Sequence, residues 1–134
     1  MDPNTVSLVQ DSWAKVVPMA DAAGKLFYTN LFEADPGLKA LFKGDIDQQA
    51  AKLMQMISAA VGKLGDLPTL VPILAQLGRR HVGYGVLPAH YTTVGAALLK
   101  TLEQGLGPAF TADVKSAWTG VYGVMAEVMT KASA

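Results

Sequence analysis

From one end to the other, the chain is spaced for helices. No segment alternates apolar and polar residues for long enough to form a strand. Apolar residues instead recur three and four apart, and proline and glycine interrupt the rows at helical intervals. Asp2-Pro3 caps a first helix with proline at its first position. Val6, Val9, Trp13 and Val16-Val17 follow, and Pro18 breaks or bends it. A second helix is expected from about Met19 to Phe32, then a short helical turn from Asp35-Pro36 to Phe42, ended by Gly44. Asp45 or Asp47 caps a helix to about Leu64, before Gly65. Asp66-Leu67-Pro68 starts another, with Leu70, Ile73-Leu74, Leu77 and His81 on one face, ending near Gly85. Pro88 opens a helix stopped near Gly105-Gly107, and Thr111 caps the last. Six or seven helices in 134 residues predict an all-α, helix-on-helix fold, with residues 1–134 as one domain.

Composition narrows the function. The chain has no cysteine, which excludes a disulfide framework, zinc–cysteine and iron–sulfur sites, covalent CxxCH haem attachment and a thiol nucleophile. Eleven basic residues balance eleven acidic ones, so no net field draws in nucleic acid or an anionic membrane. Apolar residues make up 51% and charged residues only 16%, as expected of a chain that buries more than an ordinary domain or wraps a large apolar ligand. The longest uncharged stretch, His81 to Leu99, carries two His, three Gly, a Pro and two Thr, and makes a poor membrane span. Met1-Asp2-Pro3 leads into no basic, then apolar, secretory pattern, so a cytoplasmic protein is expected.

Three polar residues fall on apolar faces. His81 follows Leu77 by four residues and Leu74 by seven, which turns it inward. An inward imidazole needs a partner for each nitrogen: it is either a core histidine bonded to backbone or a metal ligand whose other nitrogen is fixed locally. Gln49 shares a face with Leu53, Met56-Ile57 and Ala60, whereas Gln48 goes with Lys52 and Gln55; Gln49 points in and Gln48 to water. Tyr28, beside Gly24, Leu31 and Phe32, also points inward. One inward His, one Tyr and one Gln are the groups a haem site needs: a neutral imidazole for the iron, and donors opposite it for a bound gas.

These residues lie within a larger pattern. Phe27-Tyr28-x-Asn30-Leu31-Phe32-x3-Pro36-x4-Leu41-Phe42 resembles the second and third helices of bacterial globins. Leu77-Gly78-Arg79-Arg80-His81-x2-Tyr84-Gly85-Val86-x3-His90-Tyr91-x2-Val94-Gly95 resembles their proximal histidine and the corner after it, and Ala117-Trp118-x3-Tyr122-Gly123-Val124 their last helix. The chain is most similar to single-domain globins of the flavohaemoglobin lineage, of the Hell's Gate type. The resemblance implies one non-covalent haem b with His81 as iron ligand. It places Tyr28 and Gln49 as the distal pair, Phe42 as the wedging aromatic and Leu53 over the haem face. Leu77, Val86 and Val94 would also line the haem, Arg80 would approach a propionate, and Tyr91 would lie beneath the imidazole. Gly24 would allow two helices to cross closely, with small Ala50 meeting it.

The implied function is tight binding of dioxygen for storage, scavenging or sensing, with nitric oxide and carbon monoxide as further ligands. The alternative is nitric oxide dioxygenation, with electrons from a separate reductase, since the sequence ends at Ala134 without one. One departure stands out. Where flavohaemoglobins carry a carboxylate late in the last helix, completing a network with the proximal His and Tyr, Ser133 stands here. The nearest acid, Glu127, falls on another face.

Overall fold

A computed structural model describes residues 2–41, 45–83, 86 and 88–133, with backbone alone at 83, 88 and 133. Helix α1 spans Pro3–Val16, α2 Ala20–Ala34, α3 Ile46–Gly62, α4 Leu67–Gly83, α5 Pro88–Leu106 and α6 Ala112–Ser133. Short 3-10 segments occupy Val17–Met19, Pro36–Leu41 and Gly107–Ala109. The boundaries follow local chemistry. The Asp2 carboxylate accepts from the Asn4 amide at 3.3 Å, and Asp45, not Asp47, caps α3 by accepting from the Asp47 amide at 2.9 Å. The Thr111 hydroxyl accepts from the Val114 amide at 3.2 Å at the start of α6. Each satisfies an amide that the helix itself leaves open. Pro18 turns the chain through the first 3-10 segment, and Gly107 takes the left-handed φ of +54° that reverses it between α5 and α6.

Helix α2 packs on both α3 and α5, while α1 and α4 pack on α6. Two buried indoles mark the place where α1 meets α3 and α6. Trp118 is 0% exposed and its ring centroid sits 5.8 Å from that of Trp13. Its indole N–H donates to the Ser12 hydroxyl at 2.8 Å, and that hydroxyl donates on to the Leu8 carbonyl. The Trp13 N–H donates to the Ser58 hydroxyl at 2.8 Å, so neither buried indole is left unpaired. Between α2 and α5, the buried Asn30 amide donates to Thr101 Oγ1 at 3.0 Å and Gln104 Oε1 at 2.9 Å.

One helix departs from its expected register. In α4, Leu70 and Leu74 are buried, but Ile73 is 47% exposed. Among the described residues α4 makes its one extensive helix contact with α6, so the row through Ile73 and Leu77 does not share the cover given to Leu70 and Leu74. Pro72 stands inside α4. It lies in the exposed second turn and offers no N–H to the carbonyl four residues back. Among the described residues no helix is long and apolar enough to cross a membrane.

Candidate functional site

One side of the site is built where α2 crosses α3. A Cβ on Gly24 would lie 2.9 Å from the Ala50 Cβ, closer than real side chains pack, so only glycine permits this approach. Tyr28 lies one turn beyond Gly24 and Gln49 is the neighbour of Ala50, so the crossing brings their helices together. Tyr28 is 4% exposed, with Phe27 edge-on at 5.2 Å and Phe32 at 5.8 Å. Burial pushes its hydroxyl up to about 12, so it remains a protonated donor at ordinary pH. Gln49 is half-buried beside exposed Gln48, and Leu53 is half-buried one turn beyond Gln49.

The other side comes from α4, α5 and α6. His81 is half-buried, and its Nδ1 lies 3.2 Å from the Tyr91 hydroxyl. Burial lowers the imidazole pKa and favours the neutral ring, whose lone pair can ligate a metal. The Val86 amide donates to the His81 carbonyl at 3.0 Å, tying the end of α4 to the corner after it. Tyr91 is itself held: the Tyr122 hydroxyl donates to its carbonyl. Burial raises the Tyr122 pKa well above the usual range, with Tyr91 adding to the shift.

Two glycines make this side possible. A Cβ on Gly95 would lie 2.6 Å from the Tyr122 ring, and one on Gly78 would lie 2.3 Å from the Met129 carbonyl oxygen. Gly78, Gly95 and Tyr122 fall inside the sequence motifs, but the motifs assign them no role. Glycine in the interior of an apolar helix was the available signal of close backbone approach.

The remaining expected residues sort unevenly. Leu77, Val86, Tyr91 and Val94 are half-buried, as residues beside a ligand slot would be. Arg80 is exposed, and His90 is half-buried at the start of α5. Glu127 is exposed and paired with Lys131 at 2.7 Å. Phe42 and the side chain of Ser133 lie outside the described residues.

Among the described residues no cluster of three His, Cys, Asp or Glu could hold a metal by itself. A single imidazole does suit a metal whose other ligands come with a cofactor. Its Nδ1 is engaged by Tyr91, which leaves Nε2 for ligation. Leu53 on α3, Leu77 on α4 and Val94 on α5 offer apolar faces, while α3 and α4 share no extensive contact. This donor set and these faces fit a flat apolar cofactor such as haem.

Comparison with known proteins agrees. The family model described as globin matches residues 25–129. Neuroglobin of Danio rerio is 36% identical over 138 residues, covering 92% of this chain and 87% of that protein. The chain belongs to the globin family. Neuroglobin of Dissostichus mawsoni is 32% identical over the same shares. The fold of this globin also superposes on ferric Aplysia limacina myoglobin, solved with azide, at a TM-score of 0.89 and 21% identity, over 100% of this chain and 99% of that one. That likeness speaks for the globin fold alone. As a globin, the chain belongs to a haem-binding family.

Proposed function

We propose that this globin binds a non-covalent haem b and takes dioxygen tightly at ferrous iron, for storage, scavenging or sensing. The observation that carries the reading is the His81–Tyr91 contact, which fixes one ring nitrogen of a neutral imidazole and leaves the other to ligate iron. When bound, haem would supply the iron that takes up a diatomic gas. Every other task falls to the chain. His81 Nε2 would hold the iron. The protonated Tyr28 hydroxyl and the Gln49 amide donate toward the gas. Leu53, Leu77, Val86 and Val94 would exclude water, Arg80 would offer a cation to a propionate, and Phe42 keeps the wedging role that the resemblance implies. Each charge-assisted bond in a dry site is worth ~1.5–3 kcal/mol. Two together slow release by a factor on the order of 10² to 10⁴. Slow release suits a scavenger or sensor better than a carrier.

The buried Tyr28 and half-buried Gln49, with Tyr91 against His81, support membership of the bacterial single-domain branch of the flavohaemoglobin lineage. Nitric oxide dioxygenation is the enzymatic alternative. It needs an electron each turnover from a partner reductase, so multiple turnovers with a cell reductase discriminate the two.

The absorption spectrum of the purified protein tests the reading. A Soret band is expected in the native chain. His81→Ala is expected to stay folded and to lose most of its haem retention. An unaltered spectrum and affinity in that variant would show that iron is held elsewhere.

A further inference from the structure

Helix α2 carries Tyr28 and is gripped from two sides by unlike contacts. Toward α3 the contact is apolar, Gly24 against Ala50. Toward α5 it includes a buried polar fork. Asn30 is 4% exposed, and its amide nitrogen donates both hydrogens to α5, to Thr101 Oγ1 at 3.0 Å and to Gln104 Oε1 at 2.9 Å. Its neighbours on α2, Phe27 and Leu31, are buried and apolar, as are Ala97, Leu98 and Leu102 on α5.

Filling that space does not require an amide. Burying one costs free energy that its bonds must offset, and a leucine of similar size carries no such cost. What the amide adds is direction. Apolar contact is indifferent to small turns of a helix, whereas two hydrogen bonds from one planar group are met together in a narrow range of rotation. Asn30 lies two residues beyond Tyr28, about 200° round the helix, so the two side chains leave α2 on opposite sides. A tyrosine hydroxyl stands about 6 Å or more from the helix axis, so a turn of roughly 10° moves it by about 1 Å, enough to lose a hydrogen bond. The Phe27 and Phe32 rings against Tyr28 belong to α2 as well and turn with it.

We propose that Asn30 is a positioning residue: its fork on Thr101 and Gln104 sets the rotation of α2 and thereby the place of the Tyr28 hydroxyl. The consequence for a bound gas rests on the oxygen-binding reading. The placement of Tyr28 does not.

Asn30→Leu is the variant to make, because it orphans no buried group. The Thr101 hydroxyl keeps its bond to the Ala97 carbonyl at 2.8 Å, and Gln104 is exposed to water. The melting temperature should therefore stay near native. NMR of the haem-loaded carbon monoxide form with ring-labelled tyrosine should show the Tyr28 resonance displaced and the other tyrosines unmoved. That resonance is identified by its absence from Tyr28→Phe. Oxygen release should quicken by about three- to tenfold and carbon monoxide release by no more than about twofold. In the Tyr28→Phe background Asn30→Leu should quicken oxygen release no further, a coupling that plain loss of packing would not produce. Gln104→Leu, at the exposed end of the fork, should displace the same resonance by less, and it decides the matter if Asn30→Leu does not fold. Gln104→Glu keeps an oxygen acceptor and should leave the resonance in place. A native Tyr28 resonance in the leucine variants overturns the proposal. So does native oxygen release in Asn30→Leu when Tyr28→Phe speeds it. A displaced resonance with native release in both Asn30→Leu and Tyr28→Phe supports the positioning role and overturns the oxygen reading instead.

Discussion

The junction of α1, α3 and α6 and the inner faces of α3, α4 and α5 are both apolar, yet they are finished differently. At the junction Trp118 is wholly buried, and its indole, Ser12, Trp13 and Ser58 are joined in hydrogen bonds. On the inner faces Leu53, Leu77, Tyr91 and Val94 are half-buried. One region is a core that the chain completes for itself. The other is arranged to be completed by something flat and apolar. Substitutions at the junction should therefore act on folding, and substitutions at the inner faces on what is bound.

The largest effect is expected where a helix of one region packs on a helix of the other. Gly78→Ala would drive a Cβ into the backbone of α6 at Met129, and a helix backbone cannot rotate aside as a side chain can. Overpacking costs about 1–3 kcal/mol, and a backbone clash belongs at the upper end. Urea unfolding of the apoprotein should show a loss of about 3 kcal/mol; an unchanged midpoint would mean that α4 is not seated on α6 as described. Next, Trp118→Phe removes the bond to Ser12 and leaves a gap, for about 2 kcal/mol. That loss should be the same with and without haem, and a haem-dependent loss would break the comparison between core and site.

Third, Tyr28→Phe deletes one hydroxyl at almost constant volume and Gln49→Leu deletes the amide. Stopped-flow mixing should show oxygen release faster by about tenfold in each, from ~1.4 kcal/mol of lost bonding. Carbon monoxide release should change much less, and the double variant should fall short of additive. Off-rates within twofold of the native chain in both would mean that neither side chain reaches the gas.

The smallest effect concerns pH. Folding lowers the His81 pKa, so the unfolded chain binds that proton more tightly than the folded one. Apoprotein stability should therefore be flat above about pH 6.5 and fall as pH drops through the unfolded value toward the folded one. His81→Ala should remove that part of the slope, and an unchanged slope would assign it to other groups.

How much of this was legible depended on the distance between partners along the chain. The caps at Asp2, Asp45 and Thr111 lie within three residues of what they bind, and sequence placed all three elements near their observed starts. That Gln49 is half-buried and Gln48 exposed accords with helical period, although Met56, expected on the face of Gln49, is 40% exposed. Gly24 against Ala50 was anticipated through the family resemblance. The Tyr122 bond to Tyr91 spans 31 positions and joins two helices, and no periodicity within either helix announces it. Ile73 was misplaced because a stripe of apolar residues does not say how many neighbours a helix has.

The bond between Trp118 and Ser12 joins residues 106 positions apart. On a ribosome adding about 5–20 residues per second, roughly 5 to 21 s separate the two. Helix α1 must wait that long, because its indole-bearing partner lies on α6. Meanwhile α2 and α3, neighbours in sequence and in space, can already pair. Until α6 emerges, the face of α1 that carries Val9, Trp13 and Val16 lacks the cover of Trp118, and pausing before α6 would lengthen its exposure.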